Sequence, residues 1–151
     1  HSNELGGLQD QLETFASQST IWGAGTEDLY FLWAGSNDFL AILDDPSIDP
    51  LNVLDSAVDN ITDAVQTLVE LGAANIVVAQ QPNLGLLPSI VQAGLSETVT
   101  QVTVAFNAAL ESALTTLEAR SDGSTILLVD LFEPSTAIAA SPAEFGFDNI
   151  T

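Results

Sequence analysis

The residues Gly35-Ser36-Asn37-Asp38 follow the apolar run Leu29-Tyr30-Phe31-Leu32-Trp33 and bring a turn former, a hydroxyl, a carboxamide and a carboxylate together. Gln80, Gln81 and Asn83 follow a second apolar run, and Asp130 closes a third. This set is rich in amides and poor in acid–base pairs. The only histidine is His1, a terminal residue far in sequence from these positions, and chain ends are weakly held. A Ser–His–Asp triad therefore cannot be assembled from these residues. Ser36 lacks the Gly-x-Ser-x-Gly surroundings of a nucleophile elbow, and no other serine does better. Carboxamides at strand ends suit a different task, donating hydrogen bonds to an oxygen that gains negative charge as an acyl group is attacked. Asn37 is the candidate donor, with Gly35 shaping the turn before it. The competing reading is that these residues only turn the chain, with Ser36 or Asn37 capping a helix that begins near Phe39. Spacing alone favours that plainer reading.

Metal chemistry finds less support. Asp44, Asp45 and Asp49 cluster around Pro46, but the segment lacks the alternating oxygen ligands, the glycine and the closing glutamate of a calcium loop. Asp55, Asp59 and Asp63 recur every four residues, where like charges repel by roughly 0.2–0.5 kcal/mol per pair. A solvated acidic helix face accounts for them, with a cation site as the alternative. No metal and no cofactor is expected.

Composition removes further classes. Against 21 acidic side chains stands one basic residue, Arg120, for a formal charge of −20. Without lysine there is no phosphate-backbone grip for nucleic acid, no P-loop and no Schiff-base chemistry, and an anionic membrane surface would repel the chain. The absence of cysteine excludes disulfides, thiol nucleophiles and cysteine metal sites. No apolar run approaches the ~20 residues of a membrane span. The 151 residues predict one domain over 1–151, and 46% hydrophobic content is enough for a core. An acid excess without lysine fits a protein working in high salt or outside the cell, and equally an ordinary acidic secreted one. The expected location is secreted or cell-surface.

The elements that must position these residues follow from periodicity. Leu5, Leu8, Leu12 and Phe15 predict an amphipathic helix from about Glu4 to Gln18. Leu54, Val58, Ile61, Val65 and Leu68 predict a helix from Leu51 to Leu71, stopped by Gly72. Val99, Val102, Phe106, Leu110, Ala113 and Leu117 predict a third from about Thr98 to Glu118, with Arg120 at its C-terminal end, where the helix dipole favours a cation. Between the helices, residues 29–33, 75–80 and 125–130 read as strands buried on both faces. A short helix around Pro134 to Ala140 and a loop follow. Strands alternating with helices predict an α/β fold with a parallel sheet joined by right-handed crossovers, and ligands in such sheets bind beyond the carboxyl ends of the strands.

The segment Leu29-Tyr30-Phe31-Leu32-Trp33-Ala34-Gly35-Ser36-Asn37-Asp38-Phe39 resembles the G-x-N-D block of the GDSL or SGNH esterases and lipases. Residues 76–88, with Pro82-Asn83-Leu84-Gly85-Leu86-Leu87-Pro88, are similar to the strand and P-x-L-G-x-x-P loop that follow it in the secreted plant and bacterial branch. Val129-Asp130-Leu131-Phe132 and residues 142–151 look like the approach to that branch's last block. The resemblance implies a three-layer, flavodoxin-like fold with helices on both faces of the sheet. It also implies a serine hydrolase acting on a small-molecule ester or lipid through an acyl-enzyme. Asn37 would donate to the oxyanion with Gly35 shaping its turn, and Asn83, Leu84, Leu86 and Leu87 would flank the substrate. No G-D-S-L and no D-x-x-H motif occurs in the sequence. These residues are thus expected to be the middle of such an enzyme and inactive alone, with an apolar edge beside residues 29–33 that pairs with another chain or with flanking segments. A non-catalytic acidic α/β module that binds a partner or a cation is the rival reading.

Overall fold

The computed structural model of the chain describes residues 7–19, 23–38 and 50–148. His1, the Glu4 start of the first helix, the Asp44 to Asp49 cluster and the helix start near Phe39 lie outside the described residues. The elements run α1 (Leu8–Ser19), β1 (Leu29–Leu32), α2 (Pro50–Glu70), β2 (Asn75–Ala79), a 3-10 turn (Leu84–Leu86), α3 (Pro88–Gln92), α4 (Ser96–Glu118), β3 (Thr125–Val129), α5 (Phe132–Ala140) and a 3-10 turn (Pro142–Phe145). The strands form a parallel sheet in the order β1-β2-β3. Each parallel step needs a crossover, and α2 and α4 provide them. This is the α/β arrangement the periodicity predicts.

On α2 the predicted stripe Leu54, Val58, Ile61, Val65 and Leu68 is buried, whereas Asp55, Asp59 and Asp63 are exposed on the outer side, as a solvated acidic face requires. On α4, Phe106 and Leu110 are fully buried, each adding about 1.5–3 kcal/mol of apolar burial. The β-branched run Val99 to Val104 lies within this helix, because its buried face outweighs the rotamer restriction. These two helices share one core with Leu32, Ile76, Val78 and Ile126 of the strands. Helix α1 joins the same side, with Phe15 edge-on to Tyr30 at 5.7 Å between ring centroids.

Burial on both faces of the strands is corrected by the structure. Phe31, Val77 and Leu127 are in register across the sheet, pointing away from that core. Phe31 is 59% exposed and Leu127 56%. Helices α1, α2 and α4 shield the opposite face, where Tyr30, Leu32, Ile76, Val78 and Ile126 lie. The apolar residues Phe31 of β1 and Leu127 of β3 therefore stay exposed on the other face. No helix among the described residues is long and apolar enough to cross a membrane.

Candidate active site

Strand β1 ends at Leu32, and Trp33, Ala34 and Gly35 lead into a helical turn at Ser36, Asn37 and Asp38. The turn closes with the Asp38 backbone N–H donating to the Gly35 carbonyl at 3.1 Å. Gly35 has φ +105°, and a Cβ there would lie 3.2 Å from Phe106 Cζ and 3.3 Å from Gln81 Nε2. Both the backbone angle and the close approach disfavour a side chain there.

Beyond the carboxyl end of β1 opens a hollow of about 720 Å³, within the size range of small-molecule sites. Its walls are the end of β1, the start of α1 and the middle of α2, with Trp33, Gly35, Asn37, Asp38, Asn60 and Ile61 among the lining residues. Helices α1 and α2 are tied there by Gln9 Nε2 donating to the Asn60 carbonyl at 3.3 Å. Asn37 is exposed at the rim, and its carboxamide has no hydrogen-bond partner among the described residues. Asp38 beside it is also exposed as a residue, yet desolvation raises its carboxyl pKa above the usual range, and a backbone hydrogen bond opposes the shift. Among the described residues the lining offers amide donors and a carboxyl but neither serine nor histidine. Such a surface can stabilise developing negative charge but cannot itself supply a nucleophile and its base.

The hydroxyl of Ser36 turns inward and donates to Gln81 Oε1 at 2.5 Å, so Ser36 is part of the scaffold. Gln81, fully buried, also donates from Nε2 to the Ala34 carbonyl. Its backbone N–H donates to Asn107 Oδ1 at 2.9 Å, and Asn107 Nδ2 donates to the Gln81 carbonyl at 2.9 Å. Spacing had set residues 106 and 110 on the inner stripe of α4. It did not single out Thr103 and Asn107, which are buried beside them. The available signal was their place one helical turn apart within an apolar face.

The loop after β2 is not brought to the hollow: Asn83, Leu84, Leu86 and Leu87 are absent from its lining. Asn83 Oδ1 accepts from the Gly85 N–H at 3.1 Å and from Thr100 Oγ1 at 2.9 Å, and its Nδ2 donates to Thr136 Oγ1 at 3.3 Å. Its backbone N–H donates to Ser135 Oγ at 2.9 Å. Leu84 is buried in the core, whereas Leu86 and Leu87 are partly exposed. Gly85 passes so close to α4 that a Cβ would collide with Thr100 Oγ1 and the Ser96 carbonyl. Asp130, at the end of β3, accepts from the backbone N–H groups of Phe132 at 2.7 Å and Glu133 at 3.2 Å, an anion opening α5.

Comparison with known proteins shows the family of the chain. The family model described as GDSL-like Lipase/Acylhydrolase matches residues 2–149. One GDSL esterase/lipase of Arabidopsis thaliana is 30% identical over 91% of this chain and 41% of its own length. A second from the same plant is 27% identical over 95% of this chain and 41% of its own. The chain thus spans about two fifths of the length of these curated relatives.

Proposed function

Because the chain belongs to the GDSL-like lipase/acylhydrolase family, we propose that it forms the central portion of a serine ester hydrolase and contributes Asn37 as an oxyanion donor. Membership supports hydrolase function. The carboxamide of Asn37, exposed on the rim of the hollow with no partner among the described residues, is the observation that carries the finer reading.

In this reaction a serine Oγ attacks the carbonyl carbon of a carboxylic ester while a histidine takes its proton. The carbonyl oxygen gains negative charge, and Asn37 Nδ2 donates to it. The intermediate then collapses, the alcohol leaves with the proton, and water hydrolyses the acyl-enzyme. The serine of a G-D-S-L block and the aspartate and histidine of a D-x-x-H block, neither present in residues 1–151, come in this reading from outside them. The 151 residues alone are accordingly inactive. The open apolar face of β1 and β3 supports pairing with flanking segments or another chain, and the lysine-free acidic surface supports a secreted or cell-surface setting.

Hydrolysis of p-nitrophenyl butyrate by the full-length protein tests the reading. Activity that falls sharply in Asn37→Ala supports it. A folded full-length protein without esterase activity would instead favour a non-catalytic acidic module.

A further inference from the structure

Gln81 and Asn107 are polar groups inside an apolar core, and burial of that kind is unfavourable unless each donor and acceptor is matched. Their partners are specific. The amide of Asn107 pairs with both backbone polar groups of Gln81, fixing the start of the loop after β2. The side chain of Gln81 then reaches across to the neighbouring strand's exit and grips the chain on either side of Gly35, donating to Ala34 and accepting from Ser36. Gly35 itself sits against Gln81 Nε2 and the Phe106 ring, in space that a Cβ would fill.

Asn37 is the next residue along, and no described side chain or backbone group holds its carboxamide. Its aim therefore follows the backbone of the turn, which the Asp38-to-Gly35 hydrogen bond closes and Gln81 holds on both sides of Gly35. From this geometry, and resting on the oxyanion reading above, we infer that Gln81 is a positioning residue for Asn37, with Asn107 holding Gln81 in place. A donor must lie within about 0.5 Å of its productive position, and a shift of about 1 Å costs up to ~10²-fold in rate. A side chain that fixes the residues before and after Gly35 has the leverage to produce such a shift.

The test uses the full-length protein with p-nitrophenyl butyrate, and counts competent sites by fluorophosphonate labelling so that kcat is expressed per titrated site. Gln81→Leu is expected to lower that kcat by roughly 10–100-fold while KM stays within about twofold. In Gln81→Glu the protonated carboxyl can donate to the Ala34 carbonyl as the amide does, and the ionised one cannot. Its kcat relative to wild type should therefore be highest at the acid end of the profile and fall as pH rises. Ser36→Ala removes one arm at a half-buried position and covers the case in which Gln81→Leu does not fold. Its expected loss is several-fold in kcat per site. Unchanged kcat per titrated site in Ser36→Ala and Gln81→Glu, with only lower Tm, would overturn the inference and leave Gln81 a structural residue. Unchanged kcat in Asn37→Ala would overturn the oxyanion reading itself, a result separable from any behaviour of Gln81.

Discussion

The loops that leave β1 and β2 both carry carboxamides at the carboxyl end of the sheet, yet they use them in opposite ways. After β1, Asn37 stands at the rim of a hollow with its amide free of described partners. After β2, Gln81 and Asn83 turn their amides into the fold, where the exit of β1 matches Gln81 and helices α4 and α5 match Asn83. A strand-end amide is thus a candidate for chemistry only where no neighbouring element claims it. On the proposed reading the two loops divide the work, one presenting a donor and the other holding the presenter still.

The strongest challenge to this division is Asn37→Ala in the full-length protein. It should lower kcat by roughly 10²–10³-fold and leave Tm almost unchanged, because an exposed side chain is removed; steady-state kinetics beside a thermal melt measures both. Gly35→Ala should affect both quantities. A non-glycine residue at φ +105° carries backbone strain of about 1–3 kcal/mol, and the added methyl pushes against Phe106 and Gln81, so urea unfolding and kcat should fall together. Asn83→Ala should invert the Asn37 result. Leaving the Gly85 N–H and the Thr100 hydroxyl unmatched costs about 1–3 kcal/mol in stability, while kcat per folded molecule should stay within about twofold.

Asp38→Asn is the finest probe. Burial raises the Asp38 pKa in the folded state, so the stabilisation from its neutral form is present below the ordinary carboxylate pKa and lost as pH rises through the folded value. A side chain that cannot ionise should therefore raise Tm slightly at neutral pH, with the gain fading as pH is lowered through the carboxylate range. A gain that instead grew on acidification would reverse the assigned sign.

Much of the scaffold was legible in the sequence because it depends on local periodicity. The 4-3-4-3 stripe of α2 and the apolar runs at β1, β2 and β3 depend only on near neighbours, and the resemblance of residues 29–39 to the G-x-N-D block pointed to the correct family. What was not legible depends on contacts distant in sequence. Asn83 looked like a substrate contact because its position at a strand end was visible, whereas its partners Thr100 and Thr136 lie 17 and 53 residues away. Asn107, 26 residues from Gln81, interrupts an apolar stripe, a pattern that marks a buried partner without saying which one. The burial error in β1 and β3 has a similar origin: an unbroken apolar strand looks the same whether both its faces are covered or one awaits a cover.

The row Phe31, Val77 and Leu127, exposed at its two ends and half-buried at Val77, lies on a molecule of formal charge −20. In dilute buffer, mutual repulsion between copies opposes the attraction of these faces. At ~1 M salt the electrostatic reach shrinks to ~3 Å, and copies are then expected to associate through this face. Light scattering should therefore rise along a sodium chloride series, and a flat response would show that something else shields the row.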